Sequence, residues 1–232
     1  MEAVQEGKAR MPTFRSSIKP RLTVAIQAGG ESRRMGRSKA TVPFGGRPLL
    51  CRLIERVAPV ADEILVTTNE PQNLGFVERM PEGRKVRLER DLCDCRGSLT
   101  GLYTALYKAA HGYVALCACD MMDVSADLFA AEFDRILQGG YDVVVPVNDQ
   151  GFEPFHAIYR RDVCLEAVRQ SLAEGKKSMK AIVRDSDLNV CYYTMREVYD
   201  VVPDGGCFAN CNTPEELARA EARIFGAMAC AV

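Results

Sequence analysis

Short apolar segments alternate with longer segments of helical periodicity along almost the whole chain, and this alternation limits the fold most. The first apolar run, Leu22–Gln27, is too short for a helix and has the β-branched composition of a buried strand. Comparable runs follow at Glu63–Thr68 and at residues 85–89, 113–119 and 142–147. Strands separated by helices predict an α/β fold with a mostly parallel sheet and helices on both faces.

The segments between these strands have helical spacing and helix-end signals. Apolar residues repeat every three or four positions over residues 48–57, which begin with a proline, and over residues 99–106. Ser125 is placed to cap a helix over residues 126–137, and Gly139-Gly140 marks its end. Farther along, the pattern predicts helices at residues 162–173 and 178–184, strands at 157–159 and 189–194, and a strand-like segment at 207–210.

A capping box begins the closing helix. Thr213 is suited to the N-cap position, Pro214 to the first helical position, and Glu216 to the position that completes the box. The apolar stripe of this helix consists of Leu217, Ala220, Ile224 and Met228. We therefore expect the chain to end in an amphipathic helix that packs against the rest of the fold.

Size and charge limit the function classes. A chain of 232 residues with 47% hydrophobic side chains fits one large domain, which we expect over residues 22–232, after a loose N-terminal extension at residues 1–21. Thirty basic and 31 acidic side chains give a net charge of −1, which does not favour nucleic acid or an anionic membrane as partner. No apolar stretch is long enough to span a bilayer or to form a secretory signal. We expect a cytoplasmic monomer.

A glycine pair follows the first predicted strand directly. Gly29 and Gly30 allow close approach of a ligand to the backbone, and the N–H groups of such a turn form a concavity for anions. Arg33, Arg34 and Lys39 follow within about one loop's length and supply positive charge. Neither the P-loop pattern GxxxxGK[ST] nor the dinucleotide pattern GxGxxG is present. The sequence therefore predicts a phosphate-binding loop of a third kind.

This loop resembles the AGG-x-S-x-RMG-x-x-K signature of the molybdenum cofactor guanylyltransferases, a family of nucleotidyltransferases. The matching residues are Ala28, Gly29, Gly30, Ser32, Arg34, Met35, Gly36 and Lys39. Residues 97–102, 153–161 and 208–215 resemble three further segments of the family: G-P-L-x-G-(I/M), P-x-x-A-x-Y-R-R and F-x-N-x-N-T-P-E. The resemblance covers about residues 22–225.

The resemblance implies a three-layer, Rossmann-like nucleotidyltransferase fold and a defined reaction. GMP would pass from GTP to the phosphate of molybdopterin, with release of pyrophosphate and with magnesium (Mg²⁺) as cofactor. Other proteins of molybdenum cofactor biosynthesis are implied as partners. Three alternatives stay open: the same reaction with CTP, transfer to another phosphorylated acceptor such as a sugar phosphate, and a nucleotide-binding regulator without turnover.

Strand ends supply the remaining candidate site residues. Asp120 directly follows the apolar run at residues 113–119. A carboxylate there can present a hard oxygen ligand to Mg²⁺, so we expect Asp120 to be the metal ligand. Asn69 and Asp91 follow two other predicted strands, and Asp94 is an alternative to Asp91.

On the family motifs, the resemblance assigns three groups of residues. Catalytic roles fall to Arg34, Lys39 and Asp120. The nucleotide would be bound by Gln27, Ala28, Gly29, Gly30, Lys39, Asn69, Asp91, Gly97, Gly101 and Asp120. The acceptor would be bound by Pro154, His156, Asn210 and Asn212.

Three positions depart from the family pattern. Gln27 stands where leucine is usual, Ser38 where aspartate commonly precedes the lysine, and Ser98 where the turn usually has proline. Without that aspartate, the loop has lost a carboxylate that could orient Lys39 or the metal.

The ten cysteines form two C-x-C pairs and six scattered positions, with no CxxC pair and only two histidines in the chain. This spacing favours buried, structural thiols over a zinc site. A metal cluster and redox or disulfide roles are the alternatives.

Overall fold

The computed structural model describes residues 20–29, 38–92 and 97–229, and it describes side chains in the last helix as far as Phe225. The strands within these ranges are β1 (Leu22–Gln27), β2 (Pro43–Phe44), β3 (Arg47–Pro48), β4 (Glu63–Thr68), β5 (Val86–Arg90), β6 (Tyr113–Ala118), β7 (Val143–Asn148), β8 (Gly151–Phe152), β9 (Ala157–Arg160) and β10 (Val190–Thr194). The α-helices are α1 (Leu49–Val57), α2 (Ser98–Lys108), α3 (Ala126–Gly139), α4 (Arg161–Ala173), α5 (Lys180–Arg184), α6 (Met195–Val201) and α7 (Pro214–Ala229). Short 3₁₀ segments occur at Lys39–Thr41, Pro71–Arg79, Pro81–Lys85 and Gly206–Phe208.

The main sheet has the strand order β10-β7-β9-β6-β1-β4-β5, with β8 paired to β7 at one side. Strand β1 lies in the middle and is parallel to both β4 and β6. The β4–β5 and β7–β10 pairs are also parallel, whereas β9 runs antiparallel to β6 and β7. The predicted mostly parallel sheet is therefore confirmed. Its central parallel strands bring the ends of β1, β4 and β6 to one edge.

Successive side chains of the central strand β1 face opposite helical layers. Val24 and Ile26 belong to a core cluster with α1, α3 and α6, whereas Ala25 belongs to a second cluster with α2, α4 and α5. The predicted three-layer architecture is thus confirmed. Helix α7 packs outside these layers, and its Leu217 and Ala220 form a third cluster with the β2–β3 hairpin and the start of α1.

Two helices begin with the capping hydrogen bonds that the sequence predicts. The backbone N–H of Leu128 donates to the Ser125 hydroxyl at 3.2 Å, as expected for the cap of α3. Before α7, the Glu216 N–H donates to Thr213 Oγ1 at 3.2 Å, and the Thr213 N–H donates to Glu216 Oε2 at 3.1 Å. Both predicted caps are confirmed.

Besides the short strands β2, β3 and β8 and the 3₁₀ segments, which were not predicted, the structure differs from the sequence prediction at two places. Residues 207–210 do not form a strand: Gly206–Phe208 is a 3₁₀ turn, and only Asn210 pairs, in a single bridge with Met121. Helix α6 was not predicted, although Thr194 and Glu197 form a capping box at its start. Its seven residues are too few to establish a clear periodicity.

Some expectations concern regions that the structure leaves out. The loose extension at residues 1–21 lies almost wholly outside the described residues, so it and the single domain stay predictions. Of the helices in the described ranges, none combines the length and apolarity needed to cross a membrane. The described cysteines are free thiols with buried side chains, at positions 51, 117, 119, 164, 191, 207 and 211.

His156 lies in the core. Its side chain has no exposed surface, its Nε2 accepts a hydrogen bond from the Ser125 N–H at 3.3 Å, and its ring stacks on Phe129. The Glu132 carboxylate, also fully buried, lies 3.4 Å from His156 Nδ1. A side chain enclosed in this way cannot contact an acceptor. The assignment of His156 to the acceptor site is therefore wrong for this conformation, and the residue packs the core instead.

Burial makes this pair sensitive to pH. It raises the pKa of Glu132 well above 4.5 and lowers the pKa of His156 to about 3, so both groups are neutral in the fold. The contribution of Glu132 to stability is complete below the unfolded pKa and is lost as pH rises towards the folded pKa. That of His156 is complete above the unfolded pKa near 6.5 and is lost as pH falls towards 3.

Glu132→Gln should therefore raise the free energy of unfolding at about pH 8, with a gain that shrinks towards about pH 4, because the amide is never ionised in either state. Urea unfolding of the variant and the wild-type protein at several pH values measures this difference in the free energy of unfolding. Glu166→Gln is the control. The hydrogen bond from Arg169 lowers the pKa of the exposed Glu166, so this substitution should lower the free energy of unfolding at about pH 8 and have less effect towards about pH 4. A Glu132→Gln protein that is destabilised equally at every pH would contradict a raised pKa of Glu132 in the fold.

Candidate active site

A cleft of about 350 Å³ opens at the carboxyl ends of β1 and β6. Its lining residues are Gln27, Ala28, Gly29, Lys39, Ala118, Cys119, Asp120, Phe155, Asn210 and Asn212. The β1–β6 register explains the location, because Gln27 pairs with Ala118 and the two chains leave the sheet side by side. Ligands of parallel α/β sheets bind outside such strand ends.

In this cleft the ammonium group of Lys39 hydrogen-bonds two residues from distant parts of the sequence. Lys39 Nζ donates to Asp120 Oδ2 at 2.7 Å and to Asn212 Oδ1 at 2.8 Å. Lys39 begins the 3₁₀ turn after the loop, Asp120 follows β6, and Asn212 precedes α7. The Lys39 and Asp120 side chains keep 22% and 19% of their surface exposed. A charged donor and a carboxylate thus face the same accessible space.

Backbone contacts fix the asparagines beside Asp120. The Cys211 N–H donates to the Asp120 carbonyl at 3.0 Å, and Asn210 bridges to Met121. On the other side, the Asn212 N–H donates to Glu216 Oε2 at 2.7 Å. The capping box of α7 therefore does more than begin a helix, since its glutamate also holds the backbone of a cleft residue.

Gly29 and Asp91 lie against each other at the start of the loop. A Cβ on Gly29 would fall 2.5 Å from Asp91 Oδ2, so only glycine allows this approach. Burial raises the pKa of Asp91, and its Oδ1 has no hydrogen-bond partner within the described ranges. Asp91, predicted to bind the nucleotide, lies against Gly29 but does not line the cleft, so its role stays a prediction.

Gln27 and Gly101 show a similar close approach on the α2 side of the sheet. A Cβ on Gly101 would lie 2.5 to 2.6 Å from the carboxamide atoms of Gln27. Two hydrogen bonds to neighbouring chain segments hold the backbone at Gln27. The Gln27 carbonyl accepts from the Cys119 N–H at 2.9 Å, and the N–H of the next residue, Ala28, donates to the Thr67 carbonyl at 2.8 Å.

The turn before α2 explains the serine that departs from the family pattern. Gly97 has φ +153°, and a Cβ there would lie 2.7 Å from the Lys177 carbonyl. The Ser98 hydroxyl accepts a hydrogen bond from the Met179 N–H at 3.2 Å. Proline could not make this contact. In this chain the serine therefore ties α2 to the segment before α5.

Asn69 and Pro154, like Asp91, Gly97 and Gly101 above, do not line the cleft. Asn69 is exposed in the turn after β4, and Pro154 is buried with its carbonyl accepting from the Tyr159 hydroxyl at 2.8 Å. Phe155 lines the cleft in place of its neighbours Pro154 and His156. Residues 154–156 form a turn, in which the His156 N–H donates to the Glu153 carbonyl at 2.9 Å, so strand alternation in the sequence could not show which of them faces the cleft. Gly30, Arg34 and Asp94 lie outside the described residues.

Known proteins are similar to this chain both in sequence and in fold. Residues 24–190 match the sequence model of the MobA-like NTP transferase domain. A molybdenum cofactor guanylyltransferase of Desulfosudis oleivorans is 36% identical over 204 residues, which are 88% of this chain and 96% of that protein.

Solved structures of nucleotidyltransferase-like proteins also superpose on this chain. Molybdopterin-guanine dinucleotide biosynthesis protein A of Archaeoglobus fulgidus superposes with a TM-score of 0.74 at 25% identity, over 88% of this chain and 99% of that one. A 4-diphosphocytidyl-2C-methyl-D-erythritol synthase of Anaerococcus prevotii, at 13% identity and a TM-score of 0.66 over 88% and 98% of the two chains, shares the fold alone. The chain belongs to the MobA-like NTP transferase family of nucleotidyltransferases.

Proposed function

We propose that this chain transfers GMP from GTP to the phosphate of molybdopterin, releasing pyrophosphate and forming molybdopterin guanine dinucleotide. The names of the Desulfosudis relative and of the Archaeoglobus structure support this reaction, because each match covers most of both chains. The observation that carries the proposal is the meeting of Lys39, Asp120 and Asn212 in one accessible cleft. Such a group suits a ligand that brings both negative charge and a divalent metal.

The residues present fit Mg²⁺ as the cofactor. Within the described ranges, no cluster of three or more His, Cys, Asp or Glu side chains could hold a metal by itself. Mg²⁺ seldom needs one, because it is commonly held by one or two carboxylates together with substrate phosphates and water. Asp120 would supply that carboxylate. When bound, the ion would neutralise charge on the triphosphate.

The reaction needs no side-chain nucleophile. An oxygen of the acceptor phosphate attacks the α-phosphorus of GTP, and the bond from that phosphorus to the bridging oxygen breaks. Pyrophosphate leaves with the bonding electrons. Lys39 would donate hydrogen bonds to triphosphate oxygens and stabilise the charge that develops on them. Because Asp120 and Asn212 already hold its ammonium group in the cleft, little reorganisation is required.

Asn210 and Asn212 are proposed to contact the acceptor, since both line the cleft beside Asp120. Arg34 and Gly30, which lie outside the described residues, stay proposals from the family motif.

A nucleotide panel tests the donor. GTP with Mg²⁺ should raise the melting temperature more than CTP, UTP or ATP, because a ligand that binds only the native state stabilises it. Incubation with molybdopterin should then give molybdopterin guanine dinucleotide and pyrophosphate in equal amounts. Stabilisation and transfer with CTP alone would identify a cytidylyltransferase. Stabilisation by GTP without pyrophosphate release would identify a nucleotide-binding regulator.

Lys39→Ala should lower the rate of GMP transfer at least about tenfold, because a lost charge-assisted hydrogen bond costs about 1.5–3 kcal/mol. Steady-state kinetics measures the loss. Lys108→Ala is a matched control: its ammonium forms a 3.0 Å ion pair with Glu89 at similar exposure, away from the cleft residues. Equal activity of the two variants would remove Lys39 from the site.

Asp120→Asn should abolish Mg²⁺-dependent transfer while the melting temperature stays close to that of the wild-type protein. The amide keeps the size of the side chain, and a partly exposed ion pair contributes only about 1 kcal/mol or less to stability. Glu89→Gln, which breaks the matched pair with Lys108, is the control for loss of a carboxylate. A folded Asp120→Asn protein with normal Mg²⁺-dependent turnover would contradict the metal-ligand assignment.

A further inference from the structure

Three hydrogen bonds from arginine side chains hold the backbone of the loop that follows Asp120. From helix α1, Arg52 Nε donates to the Met122 carbonyl at 3.3 Å. One helical turn later, Arg56 donates to the next two carbonyls of the loop, at 3.2 and 2.8 Å. Residues four apart lie on the same face of a helix, so one face of α1 fixes three consecutive peptide groups beside the proposed metal ligand.

The Asp123 side chain makes two ion pairs in the same loop. Its Oδ1 lies 3.5 Å from Arg52 Nη2, and its Oδ2 accepts a hydrogen bond from Arg223 Nη2 of helix α7. Only 16% of this side chain is exposed. Two guanidinium groups at these oxygens would repel a metal ion, so Asp123, unlike Asp120, is not suited to hold one.

The elements that carry these arginines also pack on the segment that carries Lys39. The Arg52 guanidinium lies 5.7 Å from the centre of the Phe44 ring, in the β2–β3 hairpin that follows Lys39. Helix α7 reaches the same hairpin through Phe225, whose ring centre is 5.5 Å from that of Phe44. The Asp123 carboxylate therefore connects the carboxylate side of the cleft to its lysine side.

Two backbone turns link the position of Asp123 to that of Asp120. The Met121 N–H donates to the Ala118 carbonyl at 3.1 Å, and the Val124 N–H donates to the Met121 carbonyl at 3.5 Å. Met121 and Val124 are buried, so both turns are anchored in the core. A displacement of the second turn, which contains Asp123, would therefore be passed to the first, which contains Asp120.

We propose that Asp123, held between Arg52 and Arg223, is a positioning residue that fixes the Asp120 carboxylate for the metal ion of the nucleotide complex. This inference rests on the proposed function, in which Asp120 binds Mg²⁺ together with the triphosphate. Outer-shell groups that orient a metal ligand change the affinity for the metal although they do not touch it. Asp123 does not line the cleft, so it acts through the loop.

Equilibrium binding of GTP, measured by calorimetry with Mg²⁺ and with EDTA, tests this role without turnover. For Asp123→Asn we expect the Kd of GTP in Mg²⁺ to rise about tenfold, the lower end of the loss that is typical of an outer-shell partner. In EDTA the Kd should stay close to that of the wild-type protein, because Lys39 still contacts the triphosphate. Asp142→Asn is the matched control and should change neither Kd. Asp142 is also 16% exposed and lies 3.4 Å from Arg160, away from the cleft residues.

Variants of Arg223 provide a second test with little risk to the fold, because this side chain is 59% exposed. Arg223→Met should weaken GTP binding in Mg²⁺ in the same way but by less, since Arg52 remains beside Asp123. Arg223→Lys keeps the charge and should bind nearly as the wild-type protein does. In an Asp123→Asn background, Arg223→Met should have no further effect, because the contact is already lost.

Three outcomes would overturn the proposal. Unchanged GTP binding in Mg²⁺, with a lower melting temperature, would indicate a structural role alone. Equal weakening in Mg²⁺ and in EDTA would indicate an effect on the nucleotide and not on the metal. Complete loss of the Mg²⁺ effect, as expected for Asp120→Asn, would indicate that Asp123 binds the metal directly.

The same measurements separate this failure from that of the proposed function. A wild-type protein whose GTP affinity increases with Mg²⁺, but which yields no molybdopterin guanine dinucleotide, refutes the function and leaves the role of Asp123 to be judged by the Kd values. A wild-type protein whose GTP affinity does not depend on Mg²⁺ refutes this inference, whatever product it forms.

Discussion

The hydrogen bonds of the Lys39 ammonium group join three segments that are far apart in the sequence and meet in the cleft. Lys39 lies after the glycine loop, Asp120 after the central strand β6, and Asn212 before the last helix. The sheet register and the Cys211 contact to its carbonyl fix the backbone of Asp120, and the α7 capping box fixes that of Asn212. The charged cleft therefore follows from ordinary backbone interactions, and a ligand needs only to compete for groups that are already in place.

Much of the fold could be predicted from the sequence because the central strands are continuous apolar runs. Both faces of these strands are covered, so they lack polar alternation and are easily recognised. The wrong strand at residues 207–210 shows the limit of that rule. Cys207 and Phe208 are apolar, but β6 is already paired on both sides, by β1 and β9, so no neighbouring edge remains for them there. Local composition does not contain this information.

The candidate site could be predicted only in part, for a related reason. A residue that directly follows a buried parallel strand must lie at the ligand edge, which identifies Asp120 from sequence alone. Phe155 and His156 lie in the turn before β9, where sequence periodicity gives no guide, and only the packing shows that His156 lies in the core and Phe155 in the cleft. The contact of Gln27 with Gly101 joins residues 74 positions apart. No local pattern could predict it, although the departure from leucine marked the residue.

A crystal structure with Mg²⁺ and GTP would test most directly the central claim, that the Lys39–Asp120 pair forms the triphosphate site. We expect Lys39 Nζ to contact triphosphate oxygens and the metal to lie on Asp120. A nucleotide bound elsewhere, with the Lys39–Asp120 hydrogen bond intact and no metal on Asp120, would contradict the account.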